Sequence, residues 1–154
     1  NLMILEYVRM RDSAKPPMRS NPSDAGLDVF FNPENSASVV VEPGDSVVLE
    51  TGYRFGVPHG YMLEVKNRSG LASKRSLVVG ACVIDAGYDG EVLINLHNIG
   101  TETQIVEAGS KIAQIVMVPV VHFRAIETHG DNLYDWYPIA ISERGEGGFG
   151  STGT

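Results

Sequence analysis

Asp85 is the residue of this sequence best placed to act as a general base. It follows a run of small and apolar residues, 80–84, and begins the turn-forming sequence DAGYDG. A carboxylate at the edge of an apolar pocket can take a proton from a water molecule, provided that it stays ionised. Tyr88 would place a flat ring beside it. The alternative is an aspartate that only initiates a turn, which the local sequence favours.

The segment NRSGLASK, residues 67–74, has the composition of an anion-binding site at the start of a helix. The stretch from Ser69 to Arg75 lacks β-branched residues and predicts one or two helical turns. The N–H groups of a helix N-terminus suit a phosphate, and Arg68 and the Ser69 hydroxyl would add donors. The alternative is an ordinary Ser N-cap beside an exposed arginine.

Two further polar residues interrupt apolar runs. Asp28 begins the apolar part of SDAGLDVFF and would be semi-buried, so it needs a partner such as an arginine or a cation bound through water. Gln114 lies in GSKIAQIV and, by strand alternation, shares a face with Ile112 and Val116. Because a buried amide without partners is costly, we expect Gln114 to make a structural or ligand-directed hydrogen bond.

The chain ends in the glycine-rich sequence RGEGGFGSTGT, residues 144–154. Glycine loses more freedom on folding than any other residue, so this segment cannot bury enough apolar surface to offset its own ordering. It nevertheless carries an aromatic ring and side chains that can bind a phosphate.

Composition excludes several classes of function. At 154 residues, with 43% hydrophobic and 20% charged residues, the chain fits one domain with its own core. No apolar run approaches the ~18 residues of a membrane-spanning helix, and NLMILEYVRM is too short and too charged for a signal peptide. A net charge of −7 argues against nonspecific nucleic-acid binding. A small polyanion could still be held by a few arginines, backbone N–H groups and a divalent cation.

Cysteine and histidine give no metal signature. The single cysteine, Cys82, lies in the apolar run VVGACVI, which predicts a buried free thiol and is compatible with a reducing compartment. The four histidines, at 59, 97, 122 and 129, lack metal-ligand spacing, so zinc is not expected. Neither a P-loop nor a GxSxG nucleophile elbow is present.

Short β-branched runs between turn signals predict an all-β sandwich, jelly roll or barrel. The runs on either side of DAGYDG predict a β-hairpin with glycines at the bend. The stretch THGDNLYDWYP, residues 128–138, would be either an exposed loop held by its aromatic residues or an interface element.

Five motifs, taken in order along the chain, closely resemble those of the trimeric dUTPase family. They are DAGLD, RSGLA, GACVIDAGYDGEV, GSKIAQ and RGEGGFGSTG, and the last is the most specific. The resemblance implies an all-β jelly-roll-like barrel or sandwich with one short helix, assembled as a homotrimer with exchange of C-terminal arms. Residues 1–143 would form the core, including the 128–138 insert, and residues 144–154 a flexible lid.

By this resemblance the protein hydrolyses dUTP to dUMP and pyrophosphate at three sites, each built from all three chains. Mg²⁺ would be held by the triphosphate and waters, with no direct protein ligand. The reaction would limit uracil incorporation into DNA and supply dUMP for thymidylate synthesis. A cytoplasmic location is expected, in the host cell if the origin is viral, without nucleic-acid or membrane partners.

The resemblance also assigns a role to each site residue. Asp85 corresponds to the base that activates water for in-line attack at the α-phosphorus, and Tyr88 to the ring that leaves no room for a ribose 2′-hydroxyl. Asp28 would support the network of arginine and metal-bound water. The backbone that recognises uracil would be that of Gly80, Ala81, Cys82 and Val83.

The remaining expected contacts are with the phosphates and the base. The phosphate contacts outside the last motif would come from Arg68, Ser69, Gly70 and Gln114. In the last motif, Phe149 would stack on uracil as the lid closes, Arg144, Ser151 and Thr152 would contact the γ-phosphate, and Gly150 would also bind the substrate.

Two positions differ from those of related proteins and bear on how uracil would be recognised and on which reaction is expected. Val79 stands where many bacterial members of the family have asparagine, so uracil recognition would depend on main-chain groups alone. The related dCTP deaminases place a catalytic glutamate at the position of Asn95, and an amide cannot replace it as a base. A nucleotide- or protein-binding module that has lost catalysis is the other alternative, and the intact motifs argue against it.

Overall fold

The computed structural model describes residues 3–130, 133–134, 146–150 and 153. The chain forms two compact units, Asn1–His122 and Phe123–Thr154. No helix among the described residues is long and apolar enough to cross a membrane.

The first unit contains all the strands found in the described part of the chain. In chain order the elements are β1 (Glu6–Arg9), β2 (Leu27–Phe30), β3 (Val39–Val41), β4 (Ser46–Glu50), β5 (Tyr53–Gly56), β6 (Tyr61–Lys66), α1 (Ser69–Arg75), β7 (Leu77–Val79), β8 (Val83–Ile84), β9 (Leu93–Asn98), β10 (Gln104–Val106) and β11 (Lys111–Pro119). They form antiparallel sheets in the orders β2-β11-β6-β8 and β4-β9-β7, with two-stranded sheets β1-β5 and β3-β10. The predicted all-β jelly-roll-like fold is confirmed.

Strand alternation explains how these sheets enclose one core. In β9, Ile94, Leu96 and Asn98 are buried whereas Leu93 and His97 are exposed, which is the period of a strand with one face inward. The inward side chains of all these sheets meet in a single cluster that includes Val29, Leu49, Leu63, Ile94 and Ile112.

Helix α1 spans the residues that the sequence predicts, Ser69–Arg75. The alternative of a Ser N-cap is wrong, because the N-cap is Arg68, in an extended conformation, and no side chain caps the helix. The helix ends at Arg75, and the next residue, Ser76, has a left-handed backbone and donates its N–H to the Leu71 carbonyl oxygen. Ser69 is therefore the first helical residue, and its hydroxyl has no capping role.

The predicted hairpin around DAGYDG is wrong in its pairing. Strand β8 pairs with β6, whereas β9 pairs with β4 and β7, in another sheet. Residues 80–92 therefore leave one sheet, add two residues to the edge of the other, and return. Apolar alternation shows which residues lie inward, but it does not show which neighbour a strand pairs with.

A partly buried ion pair connects residues 80–92 to the start of the chain. The Arg11 Nη2 atom lies 2.6 Å from Glu91 Oε2, and the two side chains are only 17% and 16% exposed. Arg11 also donates to the Asn32 carbonyl oxygen, and the backbone N–H of Gly52 donates to Glu91 Oε2 at 2.8 Å. The hydrogen bond to Glu91 raises the pKa of Arg11 above its ordinary value, so the guanidinium stays charged.

Replacing Arg11 with methionine should reduce the free energy of unfolding by about 2–4 kcal/mol, because the Glu91 carboxylate would be left without its cation. Guanidinium chloride unfolding at one fixed protein concentration measures this loss. The matched control is Lys66→Met, which removes a pair whose lysine is 53% exposed. An Arg11→Met variant that loses no more stability than Lys66→Met would contradict the role of this pair.

Candidate active site

Three neighbouring strands bring Asp28, Gln114 and the start of α1 together. Asp28 on β2 lies opposite Gln114 on β11, and Gln114 lies opposite Lys66, the last residue of β6. Arg68 follows two residues after Lys66. Motifs that are distant in sequence therefore meet at one end of this sheet. We call Asp28, Arg68, Lys111 and Gln114 the Asp28 cluster.

Asp28 is semi-buried and is paired with cations, as its place in the sequence requires. Its side chain is 15% exposed, with Arg68 Nε at 3.3 Å and Lys111 Nζ at 3.4 Å from its two carboxylate oxygens. The Ser20 hydroxyl also donates to Oδ2 at 2.8 Å. These partners lie on both carboxylate oxygens, and the ion pair with Asp28 fixes the direction of the Arg68 side chain.

Gln114 makes the hydrogen bond that its position in an apolar strand predicts. Its Nε2 donates to the Asn67 carbonyl oxygen at 3.0 Å. An amide nitrogen has two N–H groups, so one stays available after this contact. Ser69 and Gly70 are exposed nearby in sequence, and a Cβ atom on Gly70 would meet nothing within 4 Å. The beginning of α1 is therefore open to an incoming group.

Asp85 and Tyr88 line one cavity of about 190 Å³. The other lining residues are Val83, Ile84, Glu91, Val92 and Leu93. The Tyr88 backbone N–H donates to the Asp85 carbonyl oxygen at 3.2 Å, which closes the turn between them. A solvent-exposed carboxylate and an aromatic ring thus lie at the edge of a cavity with both aliphatic and acidic side chains in its wall, an arrangement that suits a general base.

Hydrogen bonds to β9 hold the backbone of Gly80 and Ala81, just before β8. The N–H groups of Gly80 and Ala81 donate to the main-chain and side-chain oxygens of Asn95, at 2.9 and 3.2 Å. A side chain on Gly80 would collide with Asn95 and His97. Of the four residues expected to recognise uracil, Gly80 and Ala81 therefore use their donors inside the protein.

The prediction of a buried Cys82 is wrong, because this thiol is exposed. The apolar run VVGACVI is not one strand. It divides between β7 and β8, and residues 80–82 cross the surface between two sheets. The Cys82 carbonyl oxygen accepts from the Val65 N–H of β6 at 2.7 Å.

Within one chain, Asp85 and the Asp28 cluster are far apart. Ile84 lies opposite Leu63, whereas Gln114 lies opposite Lys66, three residues along β6. That spacing corresponds to about 10 Å along a strand, and Asp85 lies beyond Ile84 on the side away from Lys66. The two groups of site residues are therefore not close enough to contact one phosphate in the same chain.

The last motif is described only in part. Arg144, Ser151 and Thr152 lie outside the described residues, as do 131–132 and 135–138 of the predicted insert. Phe149 is fully exposed, and Gly150 has a φ of 82°, which favours glycine. In the insert, residues 128–130 and 133–134 are exposed.

Sequence reasoning missed several residues that support the site. Lys111 could have been found from its position in GSKIAQ, three residues before Gln114 and beside the same strand end. Arg11, Asn95 and His97 gave no such signal, because their contacts with residues 80–91 depend on which strands are neighbours.

The dUTPase family model matches residues 12–153 of this chain. The chain belongs to the dUTPase family. A deoxyuridine 5′-triphosphate nucleotidohydrolase of Beijerinckia indica is 39% identical over 139 residues, covering 89% of this chain and 82% of that protein. One from Chlamydia trachomatis serovar L2 is 34% identical over 149 residues, covering 96% and 97%.

Solved structures of the family have the same fold. A variant of the Staphylococcus bacteriophage 80alpha dUTPase, determined with dUpNHpp, has a TM-score of 0.79 at 29% identity and covers 98% of this chain and 99% of its own. A variant of the phage phi11 dUTPase of S. aureus, which reveals the coordination of a structural Mg(II) ion, has a TM-score of 0.74 at 27% identity, covering 83% and 98%. The expected family and its enzymatic activity, dUTP hydrolysis, are confirmed.

Proposed function

We propose that the protein hydrolyses dUTP to dUMP and pyrophosphate, with Asp85 activating the attacking water. The observation that carries this assignment is the shared cavity of Asp85 and Tyr88. Asp85 takes a proton from the water as its oxygen bonds to the α-phosphorus. The bond from that phosphorus to the bridging oxygen breaks in line, and the electron pair leaves with pyrophosphate.

Tyr88 provides selectivity for deoxyribose in this proposal. Its ring lines the cavity next to Asp85, where the sugar attached to the α-phosphate has to lie. A ring packed against the sugar leaves no space for a 2′-hydroxyl. UTP would therefore bind with its ribose displaced, and its α-phosphorus would be misaligned with the water.

The Asp28 cluster binds the phosphates. Arg68 is oriented by its ion pair with Asp28, and Gln114 retains one amide N–H after its bond to Asn67. The exposed Ser69 hydroxyl adds a donor for phosphate oxygens, and the open space at Gly70 leaves room for them. These groups are neutral or positive toward the ligand, and so they suit a polyanion.

We infer an oligomer, because one chain does not bring the two groups of residues together, and the resemblance to the trimeric dUTPase family makes a homotrimer the expected form. The cavity of one subunit would face the Asp28 cluster of another, and together they would bind one nucleotide. The dUpNHpp found with the 80alpha phage dUTPase, an analogue of a nucleoside triphosphate, is compatible with a site of this extent. The exchange of C-terminal arms belongs to the same proposal.

Mg²⁺ would be held by the triphosphate and by waters. Asp28 already contacts two cationic side chains, so it is suited to accept hydrogen bonds from metal-bound waters and not to ligate the ion directly. The bound ion supplies charge neutralisation of the phosphates. The Mg(II) reported for the phi11 phage dUTPase supports a role for this metal in the family.

The C-terminal segment, residues 144–154, would close over the nucleotide. Phe149 is exposed in this chain, and an exposed ring is available to stack on a base. Arg144, Ser151 and Thr152 would contact the γ-phosphate, and Gly150 would also bind the substrate. Closure would exclude water other than the nucleophile. The control of uracil in DNA, the supply of dUMP and the cytoplasmic location remain predictions.

Asp85→Asn should keep dUTP binding but lower kcat by about 10²–10⁴-fold, because the amide cannot accept the proton of the water. Pyrophosphate release measures turnover, and calorimetry with a non-hydrolysable analogue measures binding. Asp89→Asn, in the same turn but 87% exposed, is the control and should keep its activity. A kcat of Asp85→Asn within a few-fold of the unaltered protein would exclude it as the base.

Removing the residues after Glu143 should leave the oligomer folded and reduce kcat/KM by at least about 10²-fold, because the triphosphate would no longer be aligned and enclosed. Oligomer mass and thermal unfolding report on the fold, and pyrophosphate release reports on activity. Full activity of the shortened protein would contradict the lid.

A further inference from the structure

The Tyr88 side chain folds back over the turn that carries it. Its hydroxyl donates a hydrogen bond to the Glu91 carbonyl oxygen, 2.9 Å away. A tyrosine held only by its backbone can rotate about both side-chain torsions, but here the far end of the ring is fixed as well. The orientation of the ring is thus set by the position of the Glu91 carbonyl group.

Gly90 lies directly against this ring. A Cβ atom on Gly90 would be 2.5 Å from the Tyr88 hydroxyl oxygen and 2.7 Å from its Cζ, and the next nearest atom also belongs to Tyr88. Gly90 is not one of the glycines with a positive φ. What excludes a side chain at position 90 is therefore the tyrosine ring and not the backbone conformation.

The Glu91 carbonyl group belongs to a rigid part of the molecule. The Glu91 carboxylate accepts hydrogen bonds from Arg11 Nη2 at 2.6 Å and from the Gly52 N–H at 2.8 Å. The next residue, Val92, is 1% exposed, and its N–H donates to the Tyr53 carbonyl oxygen. The Glu91 carbonyl group, which accepts from the Tyr88 hydroxyl, is thus held in place by the contacts of the Glu91 side chain and by the backbone hydrogen bond of Val92.

We propose that Gly90 is a specificity-determining residue, because its missing side chain allows the Tyr88 ring to lie where it excludes a ribose 2′-hydroxyl. This inference rests on the proposed function, in which Tyr88 packs against the sugar. A methyl group at position 90 would push the ring off the turn and away from the Glu91 carbonyl group. The space next to the 2′-carbon would open, and discrimination between dUTP and UTP would fall.

The test is Gly90→Ala, measured as the ratio of kcat/KM for dUTP to kcat/KM for UTP by pyrophosphate release. The ratio should fall at least about tenfold, the scale of effect expected when a positioning group moves by part of an ångström. Gly56→Ala is the matched control. Gly56 also lacks a positive φ, and the atom nearest to a new Cβ would be 3.8 Å away. The dUTP-to-UTP ratio of Gly56→Ala should therefore equal that of the unaltered protein.

A double-variant cycle separates an effect through Tyr88 from a general one. In a Tyr88→Ala background, Gly90→Ala should not lower the ratio further, because the group it displaces is gone. An unchanged ratio in Gly90→Ala, or a second full decrease on top of Tyr88→Ala, would overturn the proposal.

Tyr88→Phe keeps the proposal testable if Gly90→Ala does not fold. This variant loses only the hydrogen bond to Glu91, and its ratio should fall about threefold, as expected for one ordinary hydrogen bond. An unchanged ratio in Tyr88→Phe would count against the hydroxyl as a positioning contact.

If the unaltered protein releases no pyrophosphate from dUTP, the proposed function fails. If the unaltered protein prefers dUTP to UTP and Gly90→Ala has the same preference, only the inference about Gly90 fails.

Discussion

Strand β6 sets the distance between the two parts of the active site. Its last residue lies beside Gln114 and leads into Arg68, whereas its middle pairs with β8, which leads away to Asp85. Antiparallel pairing on both sides of β6 fixes this distance, since slipping either register by one residue would turn buried side chains outward. Within one chain, the base and the phosphate-binding groups are therefore held apart along β6, and the proposed oligomer would bring them to one nucleotide from different subunits.

The second constraint is the route of residues 80–92 between two sheets. Backbone N–H and C=O groups in such a crossing have no strand partners, and separate hydrogen bonds to other parts of the chain replace them in several places. Asn95 accepts from Ala81, the Val57 carbonyl oxygen accepts from Gly87, and the Arg11–Glu91 pair fixes the end of the segment. Arg11, Val57 and Asn95, which lie outside the five motifs, thus help to hold the segment that carries Asp85 and Tyr88. These contacts hold the cavity that Asp85 and Tyr88 line at the surface of a small β protein.

Much of this could be predicted from the sequence, and the parts that failed share one cause. The short helix, the strands and the polar task of Gln114 follow from local pattern, because each depends on residues near in sequence. The pairing of β8 and the exposure of Cys82 were predicted wrongly, because both depend on which strand lies next to which. The resemblance to a known family gave the roles of the site residues, but it could not show that Tyr88 lies against Gly90.

The central claim is that each site takes Asp85 from one subunit and Arg68 from another, and mixed oligomers test it most directly. Asp85→Asn and Arg68→Ala chains, each inactive alone, would be co-expressed with different tags and the mixed species purified and weighed. In each purified trimer that contains both kinds of chain, one of the three sites, about a third, combines an intact Asp85 with an intact Arg68 from different chains. Our account predicts recovery of about that fraction of activity. Mixed trimers that stay inactive would show that each site draws both residues from the same chain, and would contradict it.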